Sequence, residues 1–496
     1  MHPHRLTAVR FYKISDDVLI SILEHLDPPS LWRACKAFRR VYNIVMEFQV
    51  LRYRFELAVL GMKDGAVPYA RAPPIVRAQL LLTYKKDWPK LQWSHESQLA
   101  IPMPAIAGVS DKFIFQIHNH GVFNTLDLSE LPSCRTNRPP SQTRHLKYTF
   151  PQIEGLAVDG SQGLIVTSHV FTYVLAHNGK VCVSLSFKDI GTNKKHRHAI
   201  TPSFDVSTTI ATRVIGVNTL ICGSKVTVGL DFHGGKTLRL LMNWRTMEAR
   251  WLEDLDIYFI DENHLLGICH DRKTGSYILN SYRIYDVGKM SIVNQYELPE
   301  AWKGYSFFAF STNTSPRTDN EPPSSALFYA APEVRMLAIT AKIRPEHTAC
   351  EWLFVRESFV KYPSRKGFLP WSYWSTFCMV KDLRKYGPYI RGPLIAGSRA
   401  FFIELDRVNG GRSHLHTIDF SPFPDSYSKS TQSWTWIGSR ASFTPAETSR
   451  TIAFEGLILR QFSVTEDNLI FFLVRSTALN LIFANTIHRM MGTQIR

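Results

Sequence analysis

Histidines spaced two positions apart are the first residues in this sequence that could bind a metal ion. Side chains at positions i and i+2 of a β-strand lie on the same face, so each pair could supply two imidazole ligands. A chain with 18 histidines among 496 residues contains some such pairs by chance, and short motifs have many false positives. We therefore predict no metal site. The four pairs are His2/His4, His118/His120, His196/His198 and His414/His416.

Familiar catalytic motifs are absent from the sequence. It contains no Gly-x-Gly-x-x-Gly, Gly-x-x-x-x-Gly-Lys-[Ser/Thr], His-Glu-x-x-His or Gly-x-Ser-x-Gly. These motifs place phosphates, metal ions or a nucleophile at defined points of the backbone, and no nucleophile here is paired with a base at an informative spacing. We predict that the protein is not an enzyme and binds no cofactor. A β-domain hydrolase or lectin would require a deep polar pocket with convergent carboxylates or histidines.

The charge balance favours acidic partners. Lys and Arg number 58 against 42 Asp and Glu, a net charge of +16. A balance this basic suits nucleic acid, acidic or phosphorylated proteins, or anionic lipid. The hydrophobic fraction of 45% excludes a mainly disordered chain.

Two segments concentrate the positive charge outside the N-terminal part of the chain. Residues 194–198 read Lys-Lys-His-Arg-His, and residues 335–391 carry 11 Lys or Arg against 4 Asp or Glu, interleaved with Trp352, Trp371, Tyr373 and Trp374. They could bind an acidic or phosphorylated protein, or nucleic acid through phosphate contacts and stacking. The alternatives are a solvated loop and ordinary strand aromatics. The candidate residues for an acidic ligand are Lys194, Lys195, Arg197, Arg365, Lys366, Arg384 and Lys385.

Cysteine usage and the lack of long apolar runs indicate a cytoplasmic or nuclear protein. The seven cysteines form no Cys-x-x-Cys, which favours a reducing compartment. Residues 1–13 have no apolar core of a secretory signal, and no run approaches the ~18 apolar residues that span a bilayer. We expect no membrane partner.

Residues 11–93 have the pattern of short amphipathic helices. The first is expected over Asp16–His25, with Ser15 as its cap and Asp27-Pro28 as its end. Further helices are expected at about 30–35, 36–47, 48–60 and 75–88. A unit of about 40 residues makes a poor core alone, so its apolar stripe favours a binding partner.

The stretch from Ile14 to Val41 resembles an F-box. Val18 to Pro28 matches the first helix and its Leu-Asp-Pro end, Leu31 to Cys35 matches the short turn, and Lys36 to Val41 matches the basic-aromatic helix. Ser15 stands where the family usually has proline. Residues 50–93 also look like the continuation seen in fungal F-box proteins.

This resemblance implies the substrate-recognition subunit of an SCF-type ubiquitin ligase, which would bind a Skp-family adaptor and, through it, a cullin, and would capture a substrate protein with its β-domain. Charged substitution of Leu23 or Leu26 should abolish adaptor docking. The positions matching the family pattern for adaptor contact are Ile14, Val18, Leu19, Ile22, Leu23, Leu26, Pro28, Leu31 and Cys35.

The rest of the chain repeats strand–turn–strand units. Hairpin signals such as Asn119-His120-Gly121 and Asp159-Gly160 separate short apolar strands. We count six to seven units of roughly 50–60 residues without any Trp-Asp dipeptide, which favours a degenerate β-propeller. The expected fold is multidomain α+β: an F-box module at 11–53, a helical linker at 54–98 and an all-β domain at 99–496. Residues 476–496 match no unit and could close the propeller or attach loosely.

Overall fold

We describe the protein from a computed structural model. It describes residues 14–485 except for short internal gaps, at 89, 93–94, 102–105, 111, 122, 134, 136–143, 174–179, 209–211, 234–235, 312, 314–325, 344–350, 364, 385, 387–388, 406–411, 421–444, 455–456 and 476–477. Among these residues, no helix is long and apolar enough to cross a membrane.

Short helices form the N-terminal part. They are α1 (Asp16–His25), α2 (Pro28–Ala37), α3 (Arg39–Glu47), α4 (Gln49–Leu60) and α5 (Pro74–Asp87), with a strand β1 (Met62–Asp64) before α5. The bounds predicted for α1 are confirmed. The predicted break between the next two helices was misplaced: α2 continues to Ala37, and the extended backbone of Phe38 (φ −133°, ψ 112°) separates it from α3.

Local chemistry explains where these helices begin and end. Ser15 occupies the cap position of α1, but its side chain makes no capping hydrogen bond. The Asp27 carboxylate accepts a hydrogen bond from the Ser30 backbone N–H (2.6 Å), which caps α2, and Pro28 suits the first turn because a first-turn N–H needs no helical partner. Gly61 ends α4 in the left-handed conformation (φ 65°), which glycine adopts without strain.

The rest of the described chain folds into seven sheets of four or five strands. After β2 (His95–Ile101), the first sheet contains β3 (Ile106–Ser110), β4 (Phe113–Asn119), β5 (Asn124–Glu130) and β6 (His145–Phe150). The second contains β7 (Gly155–Asp159), β8 (Leu164–Tyr173), β9 (Lys180–Asp189) and β10 (Ser203–Ser207). The third contains β11 (Val214–Cys222), β12 (Lys225–Phe232), β13 (Thr237–Asn243) and β14 (Glu248–Leu252). The fourth contains β15 (Asp256–Asp261), β16 (His264–Asp271), β17 (Ser276–Ile284) and β18 (Met290–Glu297).

The later sheets have longer connections. The fifth contains β19 (Phe307–Ser311), β21 (Met336–Lys342), β22 (Glu351–Arg356) and β24 (Cys378–Asp382). Its connections carry β20 (Phe328–Ala330), α6 (Glu357–Lys361), β23 (Gly367–Leu369) and α7 (Trp371–Trp374), and β23 pairs with β18 as a fifth strand of the fourth sheet. The sixth contains β25 (Ile390–Ala396), β26 (Arg399–Leu405), β27 (Arg412–Asp419) and β28 (Ala446–Ala453). The seventh contains β29 (Ile458–Val464), β30 (Asn468–Arg475) and β31 (Ala478–Asn485), with β2 at its edge.

The sheets form a closed ring, so the predicted β-propeller is confirmed. First strands of neighbouring sheets touch at several places, including β3 with β7, β7 with β11, β25 with β29, and β29 with β3. Buried apolar clusters fill the spaces between neighbouring sheets, and Ile114 packs with Ile470 and Phe472 where the seventh sheet meets the first.

Two termini of the β-region close the ring. Strand β2 pairs antiparallel with β31, from His95 opposite Asn485 to Ile101 opposite Leu479. The β-region therefore begins four residues before the predicted position 99, and residues 478–485 belong to a sheet although their sequence matched no unit. This pairing joins the two ends of the propeller, so each contributes to the stability of the other.

The propeller has two distinct ends. Within each of the first six sheets the first-to-second and third-to-fourth connections lie at one end, since consecutive strands are antiparallel, as in the fifth sheet. The first strands run in the same direction, as the parallel bridge between Asn313 and Ile395 shows for the fifth and sixth sheets. Strand β1 pairs with β20, which belongs to a first-to-second connection. The helices are therefore attached at that end, which we call the helix-bearing end.

Candidate protein-binding surfaces

The first four helices make a small bundle with its own core. The core residues are Leu19, Leu23, Leu31, Cys35, Val41, Ile44, Val45 and Leu51. Arg40 donates hydrogen bonds to the Ile14 carbonyl (2.7 Å) and to the Asp16 carboxylate (2.6 Å), and Arg54 donates to the carbonyls of Glu24 and Leu26. These contacts hold both ends of α1 against the rest of the bundle.

The nine residues predicted for adaptor contact divide into three groups by burial. Leu19, Leu23, Leu31 and Cys35 are buried in the bundle core, because α1 and α2 turn these faces toward α3 and α4. Ile14 and Leu26 are half-buried against the same core, and Pro28 is half-buried in the first turn of α2. Val18 and Ile22 remain 52% and 48% exposed. Among the predicted contact residues on α1, the structure therefore leaves only Val18 and Ile22 largely accessible to a partner, whereas Leu19 and Leu23 belong to the core beneath them.

The surroundings of Cys35 disfavour a reactive thiolate. Burial raises the pKa of its thiol to about 12, with a smaller opposing effect from a backbone hydrogen bond. A thiol that stays protonated at neutral pH reacts poorly, so Cys35 acts as a small apolar core residue.

The helices and the propeller share one apolar core. Tyr53, Leu57, Leu81 and Trp88 belong to the same buried cluster as Phe401, Phe328 of β20 and other residues of the sixth and seventh sheets. The Trp88 and Phe401 rings lie 5.3 Å apart, edge to face. Shared burial of this kind ties the orientation of the helices to that of the propeller.

Arg77 is the polar centre of this junction. Its side chain is fully buried, pairs with the Asp64 carboxylate (2.6 Å) and donates to the carbonyls of Ala72 (2.9 Å) and Leu327 (3.1 Å). Tyr53 also donates its hydroxyl to Asp64 (2.8 Å). Gly65 follows at a point where a Cβ would collide with the Ala326 backbone. Sequence reasoning missed this junction, since β1 and β20 are three residues each and 266 positions separate Met62 from Phe328.

The predicted basic residues do not form one surface. Lys194, Lys195 and Arg197 are exposed in the third-to-fourth connection of the second sheet, where Lys195 donates to the Ile200 carbonyl (3.3 Å). Arg365 and Lys366 are exposed in the corresponding connection of the fifth sheet. Arg384 follows β24, which places it at the opposite end. Lys385 lies outside the described residues.

Carboxylates from outside residues 335–391 neutralise only part of the excess charge counted there, and pairs within the segment are already included in that count. Arg335 pairs with Glu357 (2.9 Å) and Arg384 with Asp382 (2.9 Å), both within the segment. Lys361 pairs with Asp261 (2.5 Å) and Lys381 with Glu447 (2.8 Å), whose carboxylates come from distant sequence. The net charge of the segment therefore overstates the number of cations that are available to bind the phosphates of a nucleic acid.

The described histidine pairs are built into the sheets and turns. His120 contacts Thr125 (3.0 Å) and stacks on Phe123, His196 is buried against Trp244, and His416 stacks on Phe402. No group of three metal-binding side chains occurs among residues 14–485 outside the gaps. His2 and His4 precede the described residues.

Two buried carboxylates, Asp254 and Asp261, make the folding stability of the propeller depend on pH in opposite ways. Burial raises the pKa of Asp254 to about 6. Burial also acts to raise the pKa of Asp261, but hydrogen bonds and charge from His264 and Lys361 outweigh it and leave that pKa at about 2. The ordinary value for both is 3.8. Ionising Asp254 thus opposes folding as the pH rises from about 4 to 6, whereas ionised Asp261 favours folding until the pH falls toward 2.

We expect Asp254→Asn to stabilise the protein by about 3 kcal/mol at pH 7.5 and by nothing measurable near pH 4. Asn keeps an oxygen that can accept the Tyr282 hydroxyl hydrogen bond (3.1 Å) without the buried charge. Asp261→Asn serves as the matched control with the opposite sign: a loss of about 2.5 kcal/mol at pH 7.5. Denaturant unfolding of the wild type, Asp254→Asn and Asp261→Asn at pH 4 and pH 7.5 measures these differences in the free energy of unfolding. A destabilised Asp254→Asn at pH 7.5 would contradict the assignment.

Comparisons with known proteins identify no family for this chain. No protein-family model and no curated protein matches the chain. Among solved structures, the WD40 domain of Toxoplasma gondii coronin is 8% identical with a TM-score of 0.38, covering 81% of this chain and 89% of that one. The β-propeller domain of the Trilobed protease from Pyrococcus furiosus is 9% identical with a TM-score of 0.40, covering 78% and 98%. The fission yeast SCAP WD40 domain is 8% identical with a TM-score of 0.37, covering 80% and 100%.

Proposed function

We propose that this chain is the F-box subunit of an SCF-type ubiquitin ligase. Its helical bundle binds a Skp-family adaptor, which brings a cullin, and its propeller binds a substrate protein. The observation that carries the proposal is the pair of exposed apolar side chains, Val18 and Ile22, on α1, whose neighbours Leu19 and Leu23 are buried in the bundle core. Phe38, Phe48 and Val50 are also exposed in the bundle, but Val18 and Ile22 are the most exposed of the five. The F-box-like pattern from Ile14 to Val41 supplies the identity of the partner.

The exposed pair of side chains is suited to a protein partner. Val18 and Ile22 are one helical turn apart, so their side chains lie together on one face of α1. Burying such a side chain contributes about 1.5–3 kcal/mol, which gives two adjacent side chains a substantial share of an interface. A small bundle that leaves them in water gains this energy only when a partner covers them.

The junction between helices and propeller supports the proposal that a substrate bound to the propeller is presented to the partners of the helices. Arg77, the β1–β20 pairing and the shared core hold the two parts together. A substrate bound to the propeller would then be held at a defined distance from whatever the helices bind. Such a subunit performs no bond chemistry itself, and it accelerates transfer by raising the effective concentration of the substrate.

Affinity purification with mass spectrometry tests the proposal. The tagged full chain is compared with a chain lacking residues 11–46, which removes α1 to α3 but retains α4 and the junction residue Tyr53. We expect the adaptor and cullin to be recovered with the full chain and lost from the shortened one, while propeller-bound proteins remain with both. Equal recovery of adaptor and cullin with both chains would contradict the proposal.

A further inference from the structure

One connection in the fifth sheet has an unusual composition. Residues 358–377, which join β22 to β24, contain seven aromatic residues, three basic residues and no Asp or Glu. We call this segment the aromatic–basic insert. It includes most of α6, all of β23 and α7, and the short 3-10 helix Ser375–Phe377.

The insert is held firmly against the fourth and fifth sheets. Strand β23 pairs with β18, and buried Trp374 donates its indole N–H to the Glu297 carbonyl (2.7 Å). The Trp371 backbone N–H donates to the Glu297 carboxylate (3.1 Å). Lys361 pairs with the buried Asp261. These contacts fix the backbone, so side chains on the outer surface are presented in a defined arrangement.

Its outer surface combines exposed rings with positive charge. Tyr362, Phe368 and Phe377 are 70%, 54% and 49% exposed. Phe377 stacks on Phe359 with centroids 4.5 Å apart, and the Arg365 guanidinium lies 4.8 Å from the centre of the Tyr373 ring. Lys366 is also exposed. Large rings left in water beside cations are typical of interface hot spots, where aromatic and arginine side chains are enriched.

We propose that the aromatic–basic insert is a docking surface for an acidic protein segment that carries apolar side chains between its carboxylates. Exposed Phe368 and Phe377 provide the apolar contact, and Arg365 and Lys366 provide the complementary charge. The inference concerns the propeller and goes beyond the adaptor-binding role proposed for α1.

The charge distribution favours an acidic peptide over nucleic acid. Lys361 is neutralised by Asp261, which leaves Arg365 and Lys366 as the exposed cations of the insert. Proteins that bind a nucleic acid backbone commonly neutralise about 6–10 phosphates. Two cations fall well short of that number, but they can match a pair of carboxylates in a short peptide.

The insert also lies at the helix-bearing end. Ser358 donates its hydroxyl to the Glu333 carbonyl (3.1 Å), and the Glu333 carboxylate pairs with Lys63 of β1 (2.7 Å). An acidic segment bound here would therefore sit on the same side of the propeller as the bundle, close to the β1–β20 pairing.

Fluorescence anisotropy with the full chain tests the proposal. The probe is a fluorescein-labelled peptide of alternating Glu with Leu and Phe. We expect saturable binding that weakens at least about tenfold in Arg365→Glu/Lys366→Glu and at least about tenfold in Phe368→Ser/Phe377→Ser. Lys194→Glu/Lys195→Glu is the matched control, because it reverses two exposed charges elsewhere on the propeller, and it should bind as the wild type does.

Comparison probes and folding controls complete the experiment. The same peptide with Lys in place of Glu, and a single-stranded oligonucleotide, should both bind at least about tenfold more weakly than the acidic peptide. Thermal unfolding verifies that each variant is folded. The Val18→Glu/Ile22→Glu variant should retain peptide binding, which separates this test from that of the adaptor role. Undetectable acidic-peptide binding up to about 1 mM, tighter binding of the oligonucleotide, or an equal loss in the Lys194/Lys195 variant would overturn the proposal.

Discussion

A chain carrying Val18→Glu and Ile22→Glu should bind a Skp-family adaptor at least about 100-fold more weakly than the wild type. Two apolar contacts would be lost, and two carboxylates would have to leave water without a partner. Both positions are about half exposed, so the bundle should fold normally. Co-purification of the adaptor with the tagged variant, at matched expression, measures the effect.

The control places the same charges elsewhere on the helical part. Ile75 and Val76 are exposed in the first turn of α5, where Glu is favourable for the helix dipole. Ile75→Glu/Val76→Glu should leave adaptor recovery unchanged. By contrast, Leu23→Asp is unsuited to this purpose, because Leu23 is buried in the bundle core and its charge would unfold the helices. Normal adaptor recovery with the Val18/Ile22 variant would remove α1 from the interface.

Substitution of Arg77 by Met should destabilise the junction between helices and propeller by about 3–5 kcal/mol. The change leaves the Ala72 carbonyl without the Arg77 donor and the Asp64 carboxylate without its cation. The Leu327 carbonyl loses one donor but keeps the Gly65 backbone N–H (2.9 Å). The β1–β20 pairing should then open more often. Denaturant unfolding should show the loss of stability, and limited proteolysis should show faster cleavage between α4 and β2.

A second ion pair across the same junction provides the comparison. Lys63 and Glu333 also connect β1 to the fifth sheet, but their side chains are 42% and 61% exposed. Lys63→Ala should therefore cost less than about 1 kcal/mol. If Arg77→Met and Lys63→Ala were equally mild, Arg77 would not be the centre of the junction.

Local sequence signals predicted those features that depend on local chemistry. Ser15 and Asp27-Pro28 bracket α1 at its observed bounds, and the hairpin signals around Asn119 and Asp159 separate strands as expected. The break at Phe38 was not foreseen, because the apolar spacing through Phe38, Val41 and Val45 continues across a single residue that leaves the helical conformation. Periodicity reports which residues share a face, not whether one residue departs from the helix.

The candidate surfaces depended on long-range packing and were predicted only in part. The apolar positions of α1 form one stripe in sequence, but packing against α3 buries Leu19 and Leu23 and leaves Val18 and Ile22 in water. The charge of residues 335–391 was overestimated, because Asp261 and Glu447 come from outside that range. Strand β31 carries no turn signals of its own, and its place is set by pairing with β2 from the start of the β-region.

Isothermal titration calorimetry of the full chain with a purified Skp-family adaptor measures whether the helical bundle binds that adaptor. We expect one-to-one binding with a Kd below about 1 μM. We also expect a negative heat-capacity change, because apolar surface is buried on binding. The Val18→Glu/Ile22→Glu variant should show neither. If the folded wild-type chain gave no saturable heat at adaptor concentrations of about 100 μM, the proposed adaptor role would be wrong.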